Sequence, residues 1–231
     1  MTIEEYFGDW SKVINLTEAN NLINRLKAVK DRVCPCIRDV YKAFSLCKVS
    51  DLKVVILGFD PYNDFYKGKP RATGLAFANS IDTPKKDYSP SLKILMESVI
   101  DFTIPHQSIT FDASLESWEE QGVLMLNSAL SCLHGEAGSH ILMWRPFIKS
   151  LLTNLSLHTT GIVYVLMGSD AKSFEAYINK DFNHILSTAH PAYYARNKTR
   201  MPSDIWREID KILIGKYGST IEWYKELNLD E

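Results

Sequence analysis

Four short runs of the chain are apolar almost without interruption. They are KVVILG (Lys53 to Gly58), GVLMLN (Gly122 to Asn127), GIVYVLMG (Gly161 to Gly168) and NHILSTAHP (Asn183 to Pro191). Strands that are apolar on both faces belong in a parallel sheet covered by helices. The stretches between them carry helical spacing: SPSLKILMESVIDF from Ser89, WRPFIKSLLTNLS from Trp144 and SDAKSFEAYINK from Ser169. The alternation is β-α-β-α-β-α-β. The first stretch, to about Lys48, reads as helices. TEANNLINRLKAVKDR opens with a Thr-x-x-Asn start and sets Leu22, Ile23 and Leu26 on one face, and DVYKAFSLC adds a further turn. PSDIWREIDKILIGKYG predicts the last helix. The expected architecture is α/β: one domain, residues 1–231, with a central four-stranded mainly parallel sheet and helices on both faces, an α-β-α sandwich.

Each apolar run ends in polar or special residues: Asp60-Pro61-Tyr62, Asn127-Ser128, Gly168-Ser169 and His190-Pro191. Open parallel sheets bind ligands at the carboxyl ends of their strands. If the four runs are neighbours, the endings converge on one crevice. Taken singly, each has a plainer structural role. Asp60 suits a turn before proline, Asn127 a helix cap, His190 a strand end, and Tyr62 and Phe77 a core. Asp60, Asn127 and His190 at the same end favour a shared site.

Composition narrows the classes. With 231 residues, 45% of them hydrophobic, the chain can bury a sizeable core. A formal net charge of -2 gives no push toward nucleic acid and does not exclude a local basic face. Cys34, Cys36, Cys47 and Cys132 form neither a zinc spacing nor an iron–sulfur pattern, which points to reduced thiols. No metal is expected: Asp60, Asn63 and Asp64 lack calcium-loop spacing, and the histidines are not paired as ligands. No G-x-G-x-x-G or Walker sequence is present, so no cofactor is expected either. The start, MTIEEYFGDWSKV, is acidic where a signal peptide is basic, and no apolar run is long enough to span a bilayer. The expectation is a soluble cytoplasmic protein, or a nuclear one in a eukaryotic or viral setting, with no membrane partner.

The motifs resemble, in order, those of the main uracil-excising family of uracil-DNA glycosylases. Gly58-Phe59-Asp60-Pro61-Tyr62-Asn63 stands for that family's G-Q-D-P-Y-H. GLAF (Gly74 to Phe77) stands for G-L-x-F, and SPSLKIL for the P-P-S-L helix entry. WEEQGVLMLNSALSC (Trp118 to Cys132) resembles W-x-x-Q-G-V-L-L-L-N-x-x-L-T. GEAGSHILMWRPF resembles the stretch that follows it, VLMGSDAKS a W-G-x-x-A segment, and HPAYYA the family's H-P-S-P-L-S. The matches run from about residue 53 to 200.

The chemistry fits these residue types. Breaking an N-glycosidic bond leaves positive charge on the sugar and negative charge on the departing base. The resemblance implies that Asp60 stabilises the cation and orients water. It implies that a neutral His190 donates to uracil O2. Asn127, whose amide both donates and accepts, would pair with uracil O4 and N3-H on a flipped-out nucleotide. Phe59 would offer a backbone N–H to the base, Tyr62 would exclude thymine's methyl group, and Phe77 would stack under the base. Backbone amides at Ser91 and Ser169 suit phosphate. The cluster Arg196, Lys198 and Arg200 follows His190, and Tyr194 would enter the base stack. Lys67, Lys69, Arg71, Lys85 and Lys86 are further basic positions.

The departures are Phe59 for the motif's Gln, Asn63 for its His, Ala192 and Ala195 for serines, and Tyr194 for Leu. The expected activity is hydrolysis of uracil from single- or double-stranded DNA, leaving an abasic site. Another base preference on the same architecture, or DNA-binding or scaffolding without catalysis, are the alternatives. The expected state is a monomer, with inhibitor or replication proteins as further candidate partners.

Overall fold

The four apolar runs form one sheet in the computed structural model, which describes residues 2–100 and 109–226. The strands are β1 (Val54–Gly58), β2 (Val123–Asn127), β3 (Val163–Met167) and β4 (His184–Thr188). Their order is β2-β1-β3-β4 and every pairing is parallel. All residues of β1, β2 and β3 are buried, so both faces of these strands are covered. β4, at the edge, is the half-exposed one.

Five longer helices surround the sheet: α1 (Leu16–Lys27), α2 (Pro90–Ile100), α3 (Ile141–His158), α4 (Pro191–Asn197) and α5 (Asp204–Tyr217). The Asn15 side chain caps α1 by accepting the Glu18 N–H at 3.1 Å, so the helix starts before the expected Thr17. The last two residues of the expected helix from Ser89 lie outside the described residues. One hydrophobic cluster runs from Phe7 to Trp223 and takes in the strands and the inner faces of the helices. Among the described residues, no helix is long and apolar enough to cross a membrane.

Three elements differ from expectation. The segment from Ser169 to Lys180 is a single turn, Ser169–Lys172, followed by a 3-10 turn, Glu175–Tyr177. The Ser173 hydroxyl donates to the Asp170 carbonyl at 2.6 Å, and Phe174 turns into the core. Local side-chain bonding of this kind competes with helix continuation. The helical start also contains a strand pair, since Val33 and Cys34 pair antiparallel with Leu133 and Cys132. This sets the Cys132 thiol under the Pro61 carbonyl, at 3.3 Å. Finally, α4 begins directly at His190-Pro191, because proline at the first helical position needs no hydrogen-bond acceptor.

The chain leaves β1 toward β2 and then crosses back to β3 on the other side. The connections therefore diverge at the carboxyl ends of β1 and β3, where a crevice opens.

Candidate active site

A crevice of about 420 Å³ opens at this switch point. The turn after β1 supplies Phe59, Asp60, Pro61, Tyr62 and Asn63; the end of β2 supplies Asn127; the end of β3 supplies Met167, Gly168, Ser169 and Asp170. His190, Ala192 and Arg196 close it from α4, and Phe77 and Ser91 from the opposite wall. Nine of the sequence-predicted site residues thus share one cavity: Phe59, Asp60, Tyr62, Phe77, Ser91, Asn127, Ser169, His190 and Arg196.

The strand ends hold their positions by backbone bonds. The Phe59 carbonyl accepts the Ala129 N–H at 3.0 Å and the Ser128 hydroxyl at 2.7 Å, which ties the β1 turn to the end of β2. Gly58 allows a close approach that no other residue permits. A Cβ there would sit 2.7 Å from Asn127 Oδ1 and 2.8 Å from Phe77 Cζ. Phe77 takes a left-handed backbone, φ 65°, which for an aromatic residue costs about 1–3 kcal/mol. Its carbonyl accepts the Tyr62 hydroxyl at 2.8 Å, so that phenol is fixed, and burial pushes the Tyr62 pKa up.

Asp60 is half-buried. Burial raises its pKa, the nearby Asp170 carboxylate raises it further, and a hydrogen bond from the Gly138 N–H, 2.6 Å from Oδ2, opposes both. His190 caps α4, and its Nδ1 accepts the Ala192 N–H at 3.1 Å. An accepting Nδ1 places the proton of the neutral ring on Nε2. Burial, with the Arg196 guanidinium next, pushes the His190 pKa down to about 4. At neutral pH the ring is therefore an uncharged Nε2–H donor. It leans on Phe77, with ring centroids 5.4 Å apart. Among the described residues, no hydrogen bond engages the Asn127 amide, although the residue is only 7% exposed.

The remaining expected residues lie outside the cavity. Lys198 and Arg200 are exposed beyond the end of α4. Tyr194 is half-buried against the core, its hydroxyl paired with Thr188 Oγ1 at 3.1 Å. Its neighbour Tyr193 is the outward tyrosine, 51% exposed, edge-packed on the Tyr194 ring at 5.5 Å. In the other basic cluster, Arg71 is engaged by Asp64 at 2.7 Å and by the Asp87 carbonyl at 3.1 Å. Two contributors had not been singled out. Asp170 directly follows the polar end of β3, so the strand-end pattern could have found it. Gly138 acts through its backbone N–H, which leaves no mark in the sequence.

The profile of the uracil DNA glycosylase superfamily matches residues 44–213. A uracil-DNA glycosylase of Vibrio campbellii is 30% identical over 230 residues, covering 96% of each chain. One from Escherichia coli is 39% identical over 163 residues, 69% of this chain and 67% of that one. A mimivirus UNG variant crystallised in complex with UGI shares the fold, with a TM-score of 0.77 at 22% identity, over 92% of this chain and 83% of that one.

Proposed function

Since this chain belongs to the uracil DNA glycosylase superfamily, we propose that its crevice excises uracil from DNA with Asp60, His190 and Asn127 in the working roles. The chain is a DNA-repair hydrolase that cleaves the N-glycosidic bond of uracil in DNA. The assignment of each residue is our reading of the geometry.

As the bond to the base lengthens, the sugar gains positive charge and the base negative charge. Asp60, as a carboxylate, stabilises the cation and orients the attacking water. His190 meets the growing charge on the base. An imidazolium would be a stronger donor, but a neutral Nε2–H is available at every pH above about 4 and needs no proton taken up beforehand. The Asn127 amide reads the base edge, donating to O4 and accepting from N3-H; cytosine presents the opposite pattern. The fixed Tyr62 ring blocks a C5 methyl group, and Phe77 stacks on the base. The observation that carries this reading is His190: a locked Nδ1 acceptor and a free Nε2–H, in the same cavity as a carboxylate and an unengaged amide.

Backbone amides near Ser91 and Ser169, with Arg196, Lys198 and Arg200, hold the strand's phosphates. The tyrosine pair enters the base stack, with exposed Tyr193 leading and Tyr194 behind it. The UGI complex of the mimivirus relative supports an inhibitor protein as one class of partner. In solution the chain acts as a monomer.

The test is incubation with single-stranded and duplex oligonucleotides carrying one uracil, followed by alkaline cleavage of abasic sites. Scission at uracil alone is expected in both. Scission at another base, or tight binding without scission, would overturn the reading.

A further inference from the structure

Phe59 stands where the motif of the resembling family has an amide, and its ring has a structural partner. Gly138 adopts φ 74°, a conformation that side chains rarely take. A Cβ there would lie tight against Ile141 Cδ1, at 3.2 Å, and in contact with Phe59 Cζ, at 3.4 Å. The N–H of the same Gly138 donates to Asp60 Oδ2 at 2.6 Å. The backbone of Phe59 is itself clamped to Ser128 and Ala129, which fixes where its ring starts. On the far side, the Ser139 hydroxyl accepts the Leu133 N–H at 2.8 Å and anchors the loop's other end.

We propose that Phe59 is a positioning residue: its ring, packed on the Cβ-less face of Gly138, holds the loop that aims the Gly138 N–H at the Asp60 carboxylate. The proposal rests on the role given to Asp60 above and concerns how that carboxylate is kept in place. Aromatic bulk at one position and a glycine at the other act as a matched pair. A glutamine at Phe59 would replace the ring beside Gly138 with a flexible polar amide and leave the loop to its own hydrogen bonds. Restoring the family's residue alone therefore behaves as a loss.

The charged and titratable groups facing Asp60 come from several elements. They are Asp170 after β3, the Cys132 thiol under Pro61, and His190 and Arg196 from α4. Of the contacts on Asp60, the Gly138 N–H favours the charged carboxylate. Loosening it moves the acid limb of activity to higher pH, because the carboxylate is then protonated sooner. Asp170→Asn provides the opposite sign, since removing a neighbouring negative charge moves the limb to lower pH.

The experiment measures single-turnover uracil release against pH for wild type, Phe59→Ala, Phe59→Gln, Phe59→Tyr and Gly138→Ala. Alongside, ¹³C NMR titrates the Asp60 carboxyl in the same proteins. Ala and Gln are expected to slow release about ten- to a hundredfold. They should also raise the Asp60 titration midpoint, with Tyr leaving it in place. Gly138→Ala should raise it from the other side of the contact, even if one Phe59 variant fails to fold. Equal loss at every pH, with Asp60 titrating as in wild type, would show that the ring only fills space and would overturn the proposal. A wild type that releases no uracil at any pH would sink the functional reading instead, while the NMR titration would still decide the role of Phe59.

Discussion

Asn127 and Asn183 are buried to the same degree, each 7% exposed, at opposite ends of one sheet. Asn183 precedes β4. Its Oδ1 accepts the Ile162 N–H at 3.1 Å, and its Nδ2 donates to the Asn179 carbonyl at 3.0 Å. Around it the amino end is stitched shut. Lys53 and Val54 donate to the Gly122 carbonyl at 2.8 and 3.1 Å, and Val163 donates to Lys53 at 3.0 Å. Asn127 ends β2, and its amide has no partner among the described residues. Its polar atoms open onto the crevice, where water or a ligand can bond them, so the amide carries no burial penalty. The same residue type is thus bonded into the framework at one end of the strands and left open to the crevice at the other.

The largest effect that would sharpen this contrast belongs to Asp60→Asn. Uracil release should fall on the order of 10³-fold or more, since the charge facing the sugar is gone. Stability should move the other way. The folded pKa of Asp60 lies above 3.8, so its stabilising protonated form is fully present below that value and is lost as pH rises through the folded pKa. The variant should therefore melt higher than wild type at pH 7, and the gain should fade in acid. A variant that loses stability at neutral pH would assign Asp60 to the framework.

Next comes Asn127→Ala, expected to slow release about 10²- to 10³-fold with an unchanged melting temperature. A third effect is pH-dependent. His190 has its pKa pushed down to about 4 from 6.5, so above pH 6.5 both folded and unfolded states hold it neutral. Between 6.5 and 4 the unfolded chain takes up the proton first, and about 3 kcal/mol of stability is lost as pH falls. His190→Gln should flatten that stretch of the stability curve; an unchanged slope would contradict the shifted pKa. The smallest effect is that of Asn183→Ala. It should cost about 1–3 kcal/mol and lower the melting temperature by about 2–4 °C per kcal/mol, with uracil release retained.

Much of the crevice was legible because strand endings and motif order are local properties. VVILG and VLMLN reveal buried strands, and the polar residue lies at or within two positions of each strand's end, Asn127 and Asp60. The orientation of Tyr193 against Tyr194 was not legible, because two adjacent tyrosines carry no signal for which one faces the core. The break at Ser173 was hidden because SDAKSFEAYINK has helical spacing throughout, while the interruption comes from one hydroxyl. The Gly138 contact joins positions 78 residues apart through a backbone N–H, so no periodicity or residue type announces it. Glu119 was equally silent. It lies among polar residues in WEEQG, yet it is buried, accepts the Met125 N–H at 2.7 Å, and has its pKa raised well above the usual carboxylate range by burial.

The most direct test of the contrast is the binding of free uracil, read by saturation-transfer NMR on wild type, Asn127→Ala and Asn183→Ala at pH 7. Wild type and Asn183→Ala should show the same signal, and Asn127→Ala should show none. Uracil binding undiminished in Asn127→Ala, or lost in an Asn183→Ala protein that is still folded, would contradict the assignment of chemistry to the carboxyl end of the sheet.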